Sequence, residues 1–214
     1  MNKEEVREKL CSTKSAERRK AAREIGKNKL VDLSEDIFVA FIKERKDSRT
    51  WETQFEMILA LGLVDYKPAL PEIKLIVGIN KTHDMITYAA AQTYVRLKRK
   101  STNDALPVIE LLQFGGLSLS DGALNPLGYD KMMPPKNEIM ELIKLGWDLH
   151  RHKDRLGKEK GYCDPRYGLA AACAGWDKSL VCDFLNHCIA TAGTDISLKS
   201  VAEKSLNSRY SKLR

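Results

Sequence analysis

The sequence lacks the long apolar stretches, the cysteine and histidine motifs and the glycine-rich loops that define several classes of protein. No apolar stretch reaches the about 18 residues of a membrane span, so no transmembrane helix is predicted. The five cysteines form no Cys-x-x-Cys pair, and the four histidines are scattered along the chain. No glycine-rich turn is followed by Lys and then Ser or Thr, as a phosphate-binding loop requires. We therefore expect no catalytic residues, no cofactor and no metal.

The nearest candidates for metal ligands are His150 with His152, and the run from Cys182 to Cys188. Neither has the ligand spacing of a zinc site, and both of these cysteines lie on the apolar stripe of a predicted helix. Most cysteines alternate with apolar residues, and buried reduced thiols are expected. The charged start of the chain has no apolar segment before a cleavage site. These features favour a cytoplasmic protein without a membrane partner.

Length and charge point to one soluble globular body. The chain has 214 residues, of which 30% are charged and 43% hydrophobic, and it carries a formal net charge of +7. We predict a single domain over residues 1–214. The charge is uneven, because residues 101–150 hold three Lys and Arg against seven Asp and Glu. An acidic quarter between basic flanks is unlike a uniform nucleic-acid-binding surface.

A repeat of 36 residues is the strongest pattern. Residues 33–40, 69–76 and 105–112 align at this constant offset, and Gly26 and Gly62 keep the same register. Such a period holds two helices with their turns, and each pair buries its apolar stripe only against its neighbours. The repeat therefore predicts an all-α protein in which helical pairs stack in sequence order.

Two segments show a resemblance to a known family. Residues 18–26, Arg-Arg-Lys-Ala-Ala-Arg-Glu-Ile-Gly, resemble the second helix of a HEAT repeat, in which Arg precedes small residues, an aliphatic residue and Gly. Residues 164–174, which begin Asp-Pro-Arg, resemble the same element. The resemblance to HEAT-repeat and armadillo-like proteins implies a right-handed α-α superhelix, a HEAT-like solenoid of about eleven helices. It also implies that Arg166 is structural and that its guanidinium pairs with a helix-associated carboxylate or a backbone carbonyl, but it says little about a ligand.

Apolar spacing with a period of 3.6 residues sets the expected helices. They lie near residues 3–11, 15–28, 34–46, 49–63, 69–79, 83–98, 103–114, 137–150, 165–176, 178–191 and 196–210.

Residues 115–135 break the repeat. They contain four Gly and three Pro, so we expect an irregular insertion and not a helix. Four Leu, two Met and one Tyr in the same segment favour an ordered loop packed on the scaffold or on a partner. The second irregular stretch, residues 150–161, has five Lys and Arg against two acids. It is interpreted either as a solvated connector or as a contact for an acidic surface.

The leading functional hypothesis is a non-enzymatic, cytoplasmic protein-binding scaffold, such as an inhibitor or an immunity protein that neutralises a toxin. Its partner is expected to be a protein with an acidic surface, bound where the sequence departs from the repeat. The predicted contact residues are Leu127, Tyr129, Met132, His150, Arg151, His152 and Arg155.

The alternative is a nucleic-acid-binding HEAT-like protein resembling alkylpurine DNA glycosylases. Such proteins combine a basic face with Trp, Asp and Arg, and Trp147-Asp148, Trp176-Asp177 and Arg166 supply those residue types. The sequence pI of about 9.1 favours this alternative. The acidic quarter disfavours it, as does the lack of aromatic residues among the basic runs.

Overall fold

The computed structural model describes residues 2–151 and 164–211, and every regular element in these two ranges is helical. The prediction of an all-α protein is confirmed, whereas the right-handed superhelix and the single domain stay predictions. None of the described helices has the length and apolar character needed to cross a membrane. The described α-helices are α1 (Lys3–Leu10), α2 (Ser15–Asn28), α3 (Ser34–Glu44), α4 (Trp51–Leu63), α5 (Leu70–Ile79), α6 (Met85–Lys98), α7 (Leu106–Phe114), α8 (Leu117–Tyr129), α9 (Lys136–Gly146), α10 (Tyr167–Ala172), α11 (Lys178–Thr191) and α12 (Ile196–Leu206).

The 36-residue period is visible in where helices begin. Helices α3, α5 and α7 start at equivalent positions of the repeat, and the residue before each start, Leu33, Ala69 or Ala105, is fully buried. Pro71 and Pro107 occupy the first turn of α5 and α7, where a missing N–H removes no helical hydrogen bond. The repeat in the sequence thus corresponds to a repeated helix start with a buried anchor.

The chain divides into two compact units, and unit 1 comprises Met1–Asn80 and Asp84–Lys98. It contains α1 to α6, with α2 packed on α4 and α4 packed on α6. A Cβ atom on Gly26 would come within 3.2 Å of the Cα of Ala60, and one on Gly62 within 3.0 Å of the Cα of Thr93. The two aligned glycines therefore allow successive helices of the repeat to approach closely.

Ion pairs link helix α2 to the next two helices of unit 1. Arg18 on α2 forms two hydrogen bonds with Glu44 on α3, of 2.6 and 2.8 Å. Glu44 is almost fully buried, and the arginine side chain is 19% exposed. Arg23 also pairs with Glu56 on α4, but its side chain is 61% exposed. Unit 1 therefore contains both a shielded and a solvated arginine–glutamate pair between helices.

Unit 2 comprises Lys81–His83 and Arg99–Arg214, and its described helices are α7 to α12. Helix α8 packs on α10, where a Cβ on Gly168 would come within 2.9 Å of the backbone carbonyl of Leu124. Helix α8 is buried on nearly all sides. A helix that is apolar and buried all round belongs in the interior, and α8 forms the centre of this unit's core.

The expected irregular insertion at 115–135 is wrong in its secondary structure, because α8 occupies residues 117–129 of it. Gly115 and Gly116 have φ of 84° and 96°, which lets the chain turn sharply before the helix. Pro126 lies inside the helix and removes one backbone hydrogen bond. Burial of the leucines of this segment offsets the low helix propensity of its Gly and Pro residues. The segment packs into the scaffold, but it does so as a buried helix and not as the ordered loop that was expected.

Candidate functional site

Two of the predicted contact residues lie in the core and not on a surface. Leu127 is fully buried in α8, and Met132 is 1% exposed, with its carbonyl accepting a 2.8 Å hydrogen bond from Nε1 of Trp176. Their assignment as partner-binding residues is wrong, because the irregular loop that was to present them is a buried helix followed by a tight turn. Tyr129 retains 40% exposure at the end of α8.

The basic stretch is described only at its start. His150 is half-buried, and Arg151 is exposed and forms a 3.4 Å ion pair with Asp148. His152 and Arg155 lie outside the described residues. The expectation of basic contact residues here stays a prediction.

An exposed patch follows the turn after α8 and combines residues from distant parts of the chain. Met133 is 46% exposed and Tyr210 is 41% exposed. Both side chains end over Gly175, where an added Cβ would collide with the Tyr210 hydroxyl and lie 3.1 Å from the Met133 Sδ. The Lys131 ammonium lies 4.9 Å from the centroid of the Tyr210 ring, within cation–π range. We call Lys131, Met133, Gly175 and Tyr210 the Met133–Tyr210 patch.

The turn that carries the patch is fixed at Met133 and at the residues before it. The backbone N–H of Met133 donates a 2.9 Å hydrogen bond to Oδ1 of Asn103. The preceding residue is held by its hydrogen bond from Trp176. Arg99 also donates a 2.7 Å hydrogen bond to Asp130, which is mostly buried. The patch is therefore presented by an ordered backbone, which lowers the entropy lost when a partner binds.

Arg166 is fully buried, and its guanidinium pairs with a carboxylate, which is one of the two expected partners. Its Nε and Nη2 donate hydrogen bonds of 2.9 and 2.8 Å to the two carboxylate oxygens of Asp164, and Nη1 donates one of 2.7 Å to the Thr191 hydroxyl. The Asp164 backbone N–H in turn donates to Asp195, the capping residue of α12. This network joins the start of α10 to α11 and α12, and the bidentate geometry explains why Arg and not Lys occupies the position.

Asp121 on α8 is a further ionisable group in the interior of unit 2. The residue keeps some solvent exposure, but protein surrounds its carboxyl group. This burial raises the pKa of Asp121 to about 7, and the negative charge of Asp164 adds to the shift. A hydrogen bond with the Asn125 side chain opposes it. Asp121 therefore exchanges a proton near neutral pH.

A polar cluster lies where the end of α9 meets α11. The His187 ring stacks on Trp147, with centroids 4.6 Å apart and planes inclined by 13°. The His150 ring lies 5.5 Å from that of His187 in an edge-on arrangement. Burial lowers the pKa of His150, and the charge of Arg166 lowers it further. We call Asp148, His150 and His187 the His–Asp cluster.

The other residues proposed for glycosylase-like chemistry have structural contacts. Trp176 is 3% exposed and is held by its hydrogen bond to Met132. Asp177 accepts a hydrogen bond from the Ser179 backbone N–H and caps the start of α11. Trp147 is half-buried against His187 and Phe184.

Unit 1 contains a groove of about 480 Å³ lined mainly by charged residues of both signs. Its charges already pair with one another: Arg7 donates a 3.1 Å hydrogen bond to Asp36, and Arg18 binds Glu44. Several charged groups of the groove are therefore already engaged by one another and are less able to bind a charged ligand.

Sequence reasoning missed Tyr210 and Asp121, and it considered His187 only together with Cys182 and Cys188, not with His150. Tyr210 joins Met133 only through the packing of the C-terminal segment on the turn at Gly175, and His187 is far from His150 in the chain. Asp121 did carry a signal, since it is the only acid between Glu110 and Asp130, within a segment rich in apolar residues. A single acid among apolar residues indicates a carboxyl group that folding removes from water. Such burial disfavours the charged form and raises the pKa.

Comparison of the chain with family models, with curated proteins and with solved structures finds no match. The function is therefore argued from the geometry of this chain alone.

Proposed function

We propose that the chain is a non-enzymatic protein-binding scaffold whose partner docks on the Met133–Tyr210 patch. The observation that carries the proposal is the convergence of Met133 and Tyr210, both more than 40% exposed, over one glycine on an ordered turn. Scattered exposed apolar residues are common, but a preorganised pair on a fixed backbone is typical of an interface anchor.

The chemistry of the patch suits a protein surface. Tyr and Met are enriched in protein interfaces, because each buries a large area and Tyr also keeps a polar atom for a hydrogen bond. Lys131 adds a positive charge beside the ring, which matches the acidic partner expected from the sequence. Tyr129, two residues before Lys131 and 40% exposed, can extend the contact.

The role that we propose for this scaffold is stoichiometric blocking of a partner, as an inhibitor or an immunity protein does. An ordered patch favours slow dissociation, because little flexibility is lost on binding. We place the role in the cytoplasm, since the buried thiols Cys173 and Cys188 are free and fit a reducing compartment.

The alternative function is nucleic-acid binding with glycosylase-like chemistry. One feature fits it, because burial raises the pKa of Asp121 to about 7, in the range that suits a general acid or base. The burial of Arg166 and Trp176 fits it less well, because both side chains are occupied by contacts within the protein.

The test is affinity capture with the tagged full-length protein from a nuclease-treated lysate of its source cells, followed by binding measurements with the purified partner. The variants are Tyr210→Ala and Met133→Asp. The matched control is Ile196→Asp, which changes a residue of unit 2 that is 81% exposed at the start of α12, where an acid is favourable for the helix.

We expect one protein to be captured by the wild type and by Ile196→Asp but not by the patch variants. With purified partner, Tyr210→Ala should weaken binding by about tenfold or more, which is the loss typical of an interface anchor. Equal affinity for all variants would refute the patch. Failure to capture any protein from the nuclease-treated lysate, together with salt-sensitive DNA binding by the purified chain, would favour the alternative.

A further inference from the structure

The His–Asp cluster has the composition of a metal site, although its ligands are too far apart in the sequence to form a motif. A ring nitrogen of His150, a ring nitrogen of His187 and a carboxylate oxygen of Asp148 all lie within 4.8 Å of one another. Two imidazoles and one carboxylate are a ligand set used for divalent first-row transition metals, and zinc accepts it readily.

A second observation concerns His187 itself. Its Nε2 is buried and has no hydrogen-bond partner within residues 2–151 and 164–211. Buried polar atoms are nearly always hydrogen-bonded, so an imidazole nitrogen in this condition requires an explanation. A bound cation would satisfy it.

The surroundings hold the ligands in place. The His187 ring is stacked on Trp147, and its backbone carbonyl accepts a 2.6 Å hydrogen bond from the Thr191 hydroxyl, which Arg166 contacts in turn. On the opposite side, Gly146 packs so tightly against Leu169 that a Cβ there would collide with it. Helix α11, which carries His187, and the end of α9, which precedes Asp148 and His150, are therefore anchored by core contacts, as an outer shell of a metal site should be.

The three ligand atoms must move only a short distance to reach the spacing that zinc coordination requires. Zinc bound to nitrogen at about 2.0 Å and to oxygen at about 2.1 Å places its ligands about 3.4 Å apart. The cluster must therefore close by at most about 1.4 Å from its widest spacing. Asp148 is exposed and only loosely paired with Arg151, at 3.4 Å, so it can rotate towards the histidines. The nearby charge of Arg166 is neutralised by Asp164.

We propose that Asp148, His150 and His187 bind one Zn²⁺ or a similar divalent first-row ion, which clamps the end of α9 to α11. Three protein ligands leave a coordination position for water or for a ligand from a partner. The clamp is independent of the Met133–Tyr210 patch, so failure of either proposal leaves the other standing.

The test is calorimetric titration of ZnCl₂ into the metal-stripped full-length protein, purified without a polyhistidine tag. The variants are Asp148→Asn, His150→Asn and His187→Asn. The control is His83→Asn, which removes a histidine of a turn, outside the cluster, at a positive φ that Asn tolerates. Circular dichroism of the metal-free variants checks that each is folded, and Asp148→Asn keeps the test decisive because an exposed side chain is not needed for folding.

We expect one Zn²⁺ per wild-type chain, and at least a tenfold weaker affinity in all three cluster variants but not in His83→Asn. Zn²⁺ should raise the Tm of the wild type and of the control but not of Asp148→Asn, because ligand binding to the folded state stabilises it. Bound Co²⁺ should give visible d–d absorption that these variants lose. Absence of one-to-one binding, or unchanged affinity in Asp148→Asn and His187→Asn, would overturn the proposal.

Discussion

The two compact units use charge differently. In unit 1, Arg23 pairs with Glu56 between α2 and α4, and the arginine remains mostly in solvent. In unit 2, Arg166 and Asp164 form a pair in which both side chains are almost completely removed from water. A solvated pair contributes little to stability, whereas one partner of a buried pair cannot be removed without leaving an uncompensated charge.

This difference follows the sequence pattern. Unit 1 keeps the regular repeat, so apolar stripes and close glycine contacts stabilise its helices. Its exposed ion pairs contribute little to stability and mainly align neighbouring helices. Unit 2 departs from the repeat after α7 and places Asp121, Asp164 and Arg166 among buried helices. Ionisable groups in such positions make unit 2 the part of the molecule whose stability and binding should respond to charge and pH.

The largest expected effect is that of Arg166→Ala. It leaves the Asp164 carboxylate buried without its bidentate partner, so the free energy of unfolding should fall by about 3 to 5 kcal/mol. Urea denaturation followed by circular dichroism measures the loss. The double variant Arg166→Met with Asp164→Leu should recover part of it, and a loss below about 1 kcal/mol in Arg166→Ala would contradict the structural role.

A smaller, pH-dependent effect is expected for Asp121→Asn. The pKa of Asp121 is about 7 in the folded protein and near 4 when unfolded, so the folded state holds an extra proton between these values. This group therefore makes the wild type less stable as the pH rises from about 4 to about 7. The variant should be more stable than the wild type by at most about 4 kcal/mol above that window and equal to it near pH 4.

Urea denaturation of both proteins at several pH values tests this sign. A stability difference that is the same at every pH would show that Asp121 does not titrate in this range.

The smallest effects compare two ion pairs of unit 1. Arg18→Ala should cost about 1 to 2 kcal/mol, because Glu44 is nearly buried and loses two hydrogen bonds. Arg23→Ala should cost less than about 0.5 kcal/mol, since that arginine is largely solvated. Thermal and urea unfolding of the two variants under identical conditions measure the difference. Equal losses would remove the distinction between shielded and solvated pairs.

Most of the helices could be predicted because their apolar stripes repeat. Each of the eleven predicted helices has a counterpart among the described helices, with ends that differ by a few residues. Helix α8 was not predicted, because the four glycines and three prolines of residues 115–135 have low helix propensity. Burial of its apolar side chains in unit 2 stabilises the helix in spite of them. Local sequence patterns do not contain that information.

The candidate sites were less predictable than the fold. The pairing of Arg166 with a carboxylate followed from its resemblance to a repeat position, and the structure confirms it. The convergence of Tyr210 with Met133, and of His187 with His150, depends on tertiary contacts between distant segments. Neither pair has a spacing motif, so single-sequence reasoning could not bring them together.

Site-specific photo-crosslinking tests the central claim most directly. The photoreactive amino acid p-benzoylphenylalanine is placed at position 133 or, as the matched exposed control, at position 196, and intact cells are irradiated. We predict a covalent adduct with one protein from position 133 and none from position 196. Adducts from position 196 alone, or with nucleic acid instead of protein at position 133, would contradict the assignment of the Met133–Tyr210 patch as a protein-binding surface.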